Sequence, residues 1–352
     1  MKARPLKPKY VLAADVGGTK TEVILVATNR DWPGIVAQHV YPSQAFEAFE
    51  AVIADFLARP ETREHAGALA AACVCVAGPV EADRAQTTNL RWAISASALG
   101  ETFAVPAVRL VNDFAAAAIG IARLERSDLE PLQEGQAVAR GARAIVGAGT
   151  GLGAALMTWS GEDYAVHASE AGHADFAPLD EIQDGLLAYL RRAYGRVSYE
   201  RVLSGSGLAQ IFNYLTEGRG AAPSPALLEA LTREPDAAVV VSEFGLTGRD
   251  PVAVRALDLF AAIYGAFAGN IALTVLARGG VYIAGGIAPK IAAKLKDGTF
   301  ARAFTSKGRF SGLLSTFPLH VVMNSRVGLY GALDLAGRLA RGSKRGSRRR
   351  ER

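Results

Sequence analysis

The hydrophobic positions of the first 60 residues follow two different spacings. Residues 10–16 form an almost continuous apolar run, residues 21–27 resume it after a pair of glycines, and a third run follows at 35–41. Short apolar runs bounded by glycine and polar residues predict strands, so we expect a three-stranded meander. Apolar side chains then recur at helical spacing, which predicts a helix that ends before Pro60. They are Phe46, Phe49, Val52, Ile53, Phe56 and Leu57.

Strand and helix signals then alternate up to about residue 120. An apolar run at 71–77 predicts a strand, a short helix follows Ser95, and residues 107–111 predict another strand. An alanine-rich stretch that begins near Phe114 predicts a helix. The predicted order βββαβαβα is typical of an α/β domain.

A similar unit begins again in the second half of the chain. Residues 144–147 predict a strand, 149–153 a glycine turn, and 154–159 a returning strand. Further strands are predicted at 281–284 and 319–323, and helices at 186–193, 251–276 and 328–339. The repetition indicates that one α/β unit has been used twice.

The length of 352 residues exceeds what one compact core usually serves, which favours two domains. Residues 120–140 are polar and poorly periodic, so we place the domain boundary there. Residues 341–352 contain no apolar side chain, and we expect them to form a disordered tail.

The net charge of +5 does not indicate a nucleic-acid partner once its distribution is considered. The tail 341–352 carries seven basic residues and one acidic residue, and residues 1–9 carry four basic residues. The stretch between them is therefore mildly acidic. We interpret the basic tail as a solubilising end.

The two cysteines, Cys73 and Cys75, lie two positions apart in a predicted strand and so share one face of it. This pattern fits neither a disulfide framework nor a four-ligand zinc site, and a reducing compartment is expected. We find no apolar stretch of the roughly 18 to 20 uncharged residues that a membrane-spanning helix needs, and no signal peptide before Tyr10. A cytoplasmic protein without a membrane partner is expected.

Neither glycine turn matches a standard nucleotide motif. Residues 17–21 lack the G-x-x-x-x-G-K-[ST] spacing and lead into a strand. Residues 149–154 match G-x-G-x-x-A, but that fingerprint requires a helix where the pattern predicts a strand. Taken alone, each turn is either a plain hairpin or a place where backbone N–H groups approach a phosphate. Asp15 beside the first turn suits Mg²⁺, held directly or through water, and equally suits a simple turn.

Six segments in order strongly resemble the bacterial glucokinases. They are 15–20 (DVGGTK), 111–114 (VNDF), 149–153 (GTGLG), 169–173 (SEAGH), 200–207 (ERVLSGSG) and 283–287 (IAGGI). The similarity continues through 307–310 (KGRF) and covers residue 10 to about 336. At two places the family pattern changes: Ser169 and Ala171 replace glycines, and Ser206 replaces a proline. Both changes leave the polar residues in place.

The resemblance implies the actin-like (ribonuclease H-like) fold, two α/β domains with a cleft between them. The small domain would comprise 10–120 and about 325–340, the large domain 121–324, after an extension at 1–9. ATP would be bound by Gly17, Gly18, Thr19, Lys20, Gly149, Thr150, Gly151, Gly153, Gly285 and Gly286, with Asp15 as the Mg²⁺ ligand. The sugar would be bound by Asn112, Asp113, Glu170, His173 and Glu200.

Asp113 is the candidate catalytic base, because phosphoryl transfer to a sugar needs a group that accepts the proton of the attacking hydroxyl. The spacing alone favours a different role, in which Asn112 or Asp113 caps the alanine-rich helix. Only the resemblance favours catalysis at this position.

Glu170 and His173 have a spacing that suits a metal pair on a helix, but the intervening Gly172 disfavours a helix interior. As acceptor and donor, the two side chains suit neighbouring sugar hydroxyls. Glu200 is either a further hydroxyl acceptor or a surface charge at the start of a helix.

These features predict a glucokinase that transfers the γ-phosphoryl of ATP to the 6-hydroxyl of D-glucose, and the resemblance implies a homodimer. Two alternatives stay open at this point. One is a kinase for another hexose or an amino sugar, and the other is a non-catalytic sugar sensor.

Overall fold

The computed structural model describes residues 9–28, 34–87 and 90–350, without the side chains of 343–350. Most of the predicted N-terminal extension, 1–9, therefore lies outside the described residues. The chain divides into two compact units. The first unit comprises Met1–Leu124 and Arg326–Arg352, and the second comprises Glu125–Ser325.

The strands of the described chain are short to medium in length. They are β1 Tyr10–Val16, β2 Lys20–Ala27, β3 Ile35–Pro42, β4 Leu69–Val76, β5 Val80–Glu81, β6 Arg84–Gln86, β7 Ala93–Ser95, β8 Val108–Asn112, β9 Leu129–Gln133, β10 Arg143–Ala148, β11 Leu152–Trp159, β12 Tyr164–Ser169, β13 Gly280–Ala284 and β14 Leu319–Val322.

The helices vary more in length. They are α1 Phe49–Ala58, α2 Ala96–Thr102, α3 Asp113–Gly120, α4 Glu181–Tyr194, α5 Gly205–Asn213, α6 Pro225–Arg233, α7 Ala237–Leu246, α8 Pro251–Val275, α9 Ala292–Leu295, α10 Thr299–Thr305, α11 Ser311–Leu314 and α12 Val327–Arg350.

The central sheet of the first unit has the strand order β3-β2-β1-β4-β8. β1, β2 and β3 form the expected antiparallel meander, while β4 pairs parallel with both β1 and β8. Helix α1 covers one face of this sheet, and α12 packs on β1 and β4. Because β1, β4 and β8 run in the same direction, their carboxyl ends meet at one edge of the sheet. Asp15 and Asn112 lie at that edge.

The second unit repeats this plan with the strand order β12-β11-β10-β13-β14-β9. β10, β11 and β12 form an antiparallel meander, and β13 and β14 continue the sheet in parallel from β10. The core lies between this sheet and α8, whose Phe260, Tyr264 and Phe267 are fully buried. The predicted double use of one strand pattern is confirmed, and it places a glycine turn at the same point of each unit.

Helix α8 corrects one expectation from the sequence. By length and composition alone, Pro251–Val275 is apolar enough to cross a membrane, whereas no such stretch was expected. Residues 259–277 contain no charged side chain, so the sequence itself contained this stretch and the expectation was wrong. In its most apolar stretch 78% of the residues are buried within the unit, and a helix that is apolar on all sides is typical of a core position.

Three elements differ from the sequence prediction. The small sheet β5-β6-β7 was not predicted, because strands of two or three residues carry no periodicity. The presumed polar boundary at 120–140 contains β9, which pairs with β14. The tail expected to be disordered from residue 341 instead continues α12 to Arg350, since arginine and lysine are good helix formers.

Candidate active site

The first glycine turn joins β1 to β2 and is stabilised by hydrogen bonds from Ser43. Gly17 N–H donates to the carbonyl oxygen of Lys20 over 3.0 Å, which closes the turn. The fully buried Ser43 donates its hydroxyl to the Gly17 carbonyl over 2.7 Å, and its N–H donates to the Thr19 carbonyl over 3.0 Å. Thr19 and Lys20 remain exposed at the tip. Thr19 and Lys20 are therefore accessible at the tip of the turn. The carbonyl oxygens of Gly17, Thr19 and Lys20 already accept hydrogen bonds within the protein.

Asp15 lies directly before this turn and faces Glu22 on β2 and Cys75 on β4. Burial raises the pKa of Asp15 above its ordinary value, the Cys75 thiol opposes this by hydrogen bonding, and the charge of Glu22 adds to it. A methyl group added at Gly328 would lie 3.8 Å from Asp15 Oδ2. The carboxylate thus lies at the first turn of α12, where the helix dipole favours negative charge.

Asn112 and Asp113 have different roles at the start of α3. Asn112 is the N-cap: its Oδ1 accepts from the N–H groups of Phe114 (3.0 Å) and Ala115 (3.2 Å), and its Nδ2 donates to the Gly78 carbonyl over 3.1 Å. The capping interpretation is therefore confirmed for Asn112. One amide hydrogen of its Nδ2 is not used by these contacts, so sugar binding by Asn112 stays a prediction.

Asp113 is the first residue of α3 and is half-buried. Its Oδ1 accepts from the N–H of Phe114 over 2.9 Å, so one carboxylate oxygen is fixed by the helix. A methyl group added at Gly328 would lie 3.8 Å from the carbonyl oxygen of Asp113 as well as 3.8 Å from Asp15 Oδ2. Gly328, at the N-terminus of α12, therefore lies near both the Asp15 carboxylate and the backbone of Asp113.

The second glycine turn joins β10 to β11 and is held at both ends by the segment 199–205. Gly149 N–H donates to the Gly151 carbonyl over 2.8 Å, and Gly205 N–H donates to the Gly149 carbonyl over 2.9 Å. Glu200 Oε2 accepts from the N–H of Leu152 over 3.0 Å. Because β11 and not a helix follows this turn, the dinucleotide fingerprint is excluded here.

Gly285 and Gly286 follow β13 and pack against the same turn. Gly285 has a φ of +83°, and a methyl group there would lie 2.4 Å from the Ala148 carbonyl oxygen. Only glycine fits this position. Gly286 stays exposed beside it.

A pocket of about 450 Å³ opens between these segments within the second unit. Its lining combines residues of the glycine turns with residues of α5, α7 and the segment after β13. The lining residues are Gly149, Thr150, Gly205, Ser206, Leu208, Asp236, Ala238, Val239, Ser242, Gly286, Ile287, Lys290 and Ile291. This volume and the mixed lining suit a small-molecule ligand. No motif in the sequence marks the α7 residues of this lining.

The predicted sugar ligands of the second unit lie on two segments that pair with each other. Phe176 N–H donates to the Val197 carbonyl over 3.0 Å, and Tyr199 N–H donates to the Ala174 carbonyl over 2.9 Å. Glu170 and His173 are exposed at the start of the first segment, and Glu200 follows Tyr199 in the second. The residues are therefore neighbours, although they are 30 positions apart in the sequence.

Leu152 connects this group to the glycine turn. Its N–H binds Glu200, and its carbonyl oxygen would lie 2.0 Å from a methyl group on Gly172. The backbone between Glu170 and His173 therefore touches β11 so closely that only glycine fits. Residues 171–173 form one 3₁₀ turn, which is not the α-helix that an i, i+3 metal pair would require.

The family model described as Glucokinase matches residues 12–338. The chain belongs to the glucokinase family. A glucokinase from Synechocystis sp. is 42% identical over 342 residues, which covers 91% of this chain and 96% of that protein. The crystal structure of a glucokinase from an Antarctic psychrotroph is 30% identical with a TM-score of 0.79, and covers 93% of this chain and 98% of that one.

The predicted actin-like fold with two α/β domains is confirmed by these glucokinase structures. A ROK family glucokinase from Streptomyces griseus, crystallised with glucose and AMPPNP, is only 20% identical but has a TM-score of 0.62 over 93% of this chain and 99% of that one. This likeness shows a shared fold. The individual roles of the predicted ligands stay predictions.

Proposed function

We propose that this protein transfers the γ-phosphoryl group of ATP to the 6-hydroxyl of D-glucose, which gives glucose 6-phosphate and ADP. The family match supports the reaction class. The observation that carries the assignment of residues is that the Asp15 carboxylate and the backbone of Asp113 both lie close to Gly328 at the N-terminus of α12, near the carboxyl edge of the parallel strands.

In this proposal Asp113 is the general base. As the sugar oxygen forms its bond to the γ-phosphorus, the hydroxyl proton passes to the Asp113 carboxylate and the bond to the β-phosphate oxygen breaks. The bond from Phe114 N–H to Oδ1 holds the carboxylate in one orientation. Asn112 caps the same helix, so the base is placed on a rigid helix start.

We assign the phosphate chain of ATP to the two glycine turns. The inner carbonyls of both turns are already bonded, to Ser43 in the first and to Gly205 in the second. Negative phosphate oxygens therefore meet N–H groups and the hydroxyls of Thr19 and Thr150 instead of free carbonyls. The pocket that contains Gly286 and Ser242 would take the nucleoside.

Asp15 fits the role of a Mg²⁺ ligand. Its oxygen donors are the type that Mg²⁺ prefers, and the charge of Glu22 on the neighbouring strand favours a cation there. Within the described residues no group of three or more His, Cys, Asp or Glu forms a metal cluster, and nucleotide-bound Mg²⁺ needs only one or two carboxylates. When bound, Mg²⁺ supplies neutralisation of phosphate charge.

The glucose hydroxyls are assigned to Asn112, Asp113, Glu170, His173 and Glu200. A site built to hydrogen-bond several hydroxyls discriminates against a sugar that lacks one, because its own polar groups are then left unpaired. Rates with glucose, mannose, fructose and N-acetylglucosamine test this assignment. We expect glucose to have the highest kcat/KM, and a higher value for another sugar would favour the alternative hexose or amino sugar kinase.

We also propose that the enzyme acts as a homodimer in the cytoplasm, where ATP is available as the phosphoryl donor. Homodimer formation is what the family resemblance implies, and analytical ultracentrifugation tests it. A single species with the mass of one chain would contradict it.

The decisive experiment is a coupled assay of ADP release with and without glucose. We expect glucose-dependent ADP release from the wild type and a decrease in kcat of about 10²- to 10⁴-fold for Asp113→Asn. Asparagine keeps the Oδ1 acceptor for Phe114, so folding should be preserved.

The matched control is Asp180→Asn, at the N-cap of α4, where Oδ1 accepts from Ile182 (3.0 Å) and Gln183 (2.9 Å). This variant should keep the wild-type rate. An unchanged rate for Asp113→Asn would rule out Asp113 as the base, and a wild type that fails to respond to glucose would point to a sugar sensor.

A further inference from the structure

The side chain of Lys307, in the KGRF segment, lies against helix α8 in the second unit. Its Nζ donates to the Ala266 carbonyl over 2.9 Å and to Asn270 Oδ1 over 2.7 Å. A methyl group on Gly269 would lie 2.5 Å from the Phe304 carbonyl oxygen and 2.7 Å from Lys307 Cε, so the helix carries glycine where this segment crosses it. Within the described chain Lys307 forms no ion pair, and its burial lowers its pKa. A half-buried cation whose partners are all neutral loses part of its hydration, and its two hydrogen bonds offset this cost.

Asn270 connects Lys307 to Tyr199. Lys307 fixes the amide by binding its oxygen, which directs Nδ2 to donate to the Tyr199 hydroxyl over 3.0 Å. The Tyr199 ring is 4% exposed and packs against Phe176 and Phe267, with ring centroids 5.7 and 4.7 Å away. The position of the hydroxyl is therefore set by the amide and not by solvent.

Tyr199 in turn holds both segments that carry the predicted sugar ligands. Its N–H binds the carbonyl of Ala174, the residue after His173, and Glu200 follows it in the chain. A shift of Tyr199 would displace His173 and Glu200 together.

We propose that Lys307 is a positioning residue for glucose binding, which acts through Asn270 and Tyr199 on His173 and Glu200. This inference rests on the proposed function, because it assumes that these two residues bind the sugar. It assigns to the KGRF segment a role that neither the glycine turns nor the catalytic base provides.

The variants that test it are Lys307→Met and Tyr199→Phe. Methionine keeps the length of the lysine stem, and phenylalanine keeps the packed ring while it removes only the hydroxyl. The controls are Lys294→Met, which removes a lysine paired with Asp258 and Asp297, and Tyr189→Phe, which removes a hydroxyl that donates to Glu217 over 2.7 Å. Both controls should keep wild-type kinetics.

We expect each test variant to raise the KM for glucose about tenfold, the effect of one lost hydrogen bond to a charged or tightly held group. The KM for ATP should change less than about twofold, since the bond from Gly205 to Gly149 remains. The double variant should raise the KM for glucose no further than the more affected single variant does, because both changes interrupt one chain of hydrogen bonds. A glucose KM that stays at the wild-type value in Tyr199→Phe, or additive effects in the double variant, would overturn the proposal.

Hydrogen–deuterium exchange separates this inference from the proposed function. In Lys307→Met the amides of 173–177 and 199–205 should exchange faster, whichever sugar the enzyme uses. Faster exchange with no activity on any sugar would defeat the kinase proposal and leave the network intact. Unchanged exchange at these amides would overturn the network, even in an active glucokinase.

Discussion

The hydroxyl of Ser43 donates a 2.7 Å hydrogen bond to the carbonyl oxygen of Gly17, across 26 positions of the sequence. The Ser43 hydroxyl oxygen also lies 2.9 Å from the Thr21 hydroxyl oxygen, and Ser43 is fully buried. The geometry of the first glycine turn therefore depends on a side chain outside the turn.

Replacement of this hydroxyl should weaken both folding and nucleotide binding. Ser43→Ala leaves the Gly17 carbonyl without its buried partner, so we expect the free energy of unfolding to fall by about 1–3 kcal/mol. The KM for ATP should rise severalfold, measured in the coupled assay. Ser315→Ala is the control, because its exposed hydroxyl also donates to a glycine carbonyl, that of Gly312, over 2.8 Å. Equal effects of the two substitutions would contradict this role for Ser43.

The two functions suggested for Asn112 can be separated by substitution. Asn112→Ala removes the N-cap of α3 and should lower the free energy of unfolding by about 1 kcal/mol. Asn112→Ser keeps a capping oxygen and removes the amide, so stability should be nearly restored while the KM for glucose stays elevated. Thermal unfolding and glucose kinetics of both variants provide the measurement. A serine variant with wild-type glucose affinity would limit Asn112 to capping.

The second glycine turn is expected to link ATP and glucose binding through Glu200. A methyl group at Gly151 would lie 2.6 Å from Glu200 Oε2. In Gly151→Ala the carboxylate must move away from the Leu152 N–H, so the KM values for ATP and glucose should both rise, by about tenfold for loss of a charge-assisted bond. Gly312→Ala, where an added methyl group has no neighbour within 4 Å, is the control. If only the KM for ATP rose, Glu200 would not be a sugar ligand.

The buried carboxyl of Asp15 predicts a pH-dependent difference in stability. Its pKa is raised from 3.8 chiefly by burial, so the folded protein holds this proton more tightly than the unfolded chain. The stability that Asp15 contributes is complete below pH 3.8 and is lost as the pH rises through the folded-state pKa. Asp15→Asn should therefore raise the melting temperature at pH 8, with a difference that shrinks as the pH falls toward 4, while activity is lost.

Asp83→Asn, in the same unit, is a control for which we expect the opposite pH dependence of stability. Hydrogen bonds from Ser97 and Ser95 lower the pKa of Asp83, so its contribution is present at neutral pH and is lost in acid. Thermal unfolding of both variants between pH 4 and 8 tests the pair. A gain for Asp15→Asn that did not depend on pH would show that burial of the charge is not the cause.

Much of the site could be predicted because the necessary signals are local. Glycine turns between apolar runs predicted both hairpins, and the order of the motifs indicated the family and the actin-like fold. The choice between a cap and a base at Asn112 and Asp113 could not be made from spacing, since both positions precede the same helix. The structure shows that Asn112 is the cap, and the role of Asp113 as the base stays a prediction.

The sequence by itself determined the repeated strand pattern, the two turns and the candidate acids, because each depends on neighbouring residues. Only the tertiary structure revealed Ser43 beneath the first turn, Glu200 beside the second and Lys307 behind Tyr199. These contacts join residues 26, 48 and 108 positions apart, through hydrogen bonds and close packing that no short-range pattern encodes. The local sequence thus specifies the functional groups, and packing within each unit decides which of them come into contact.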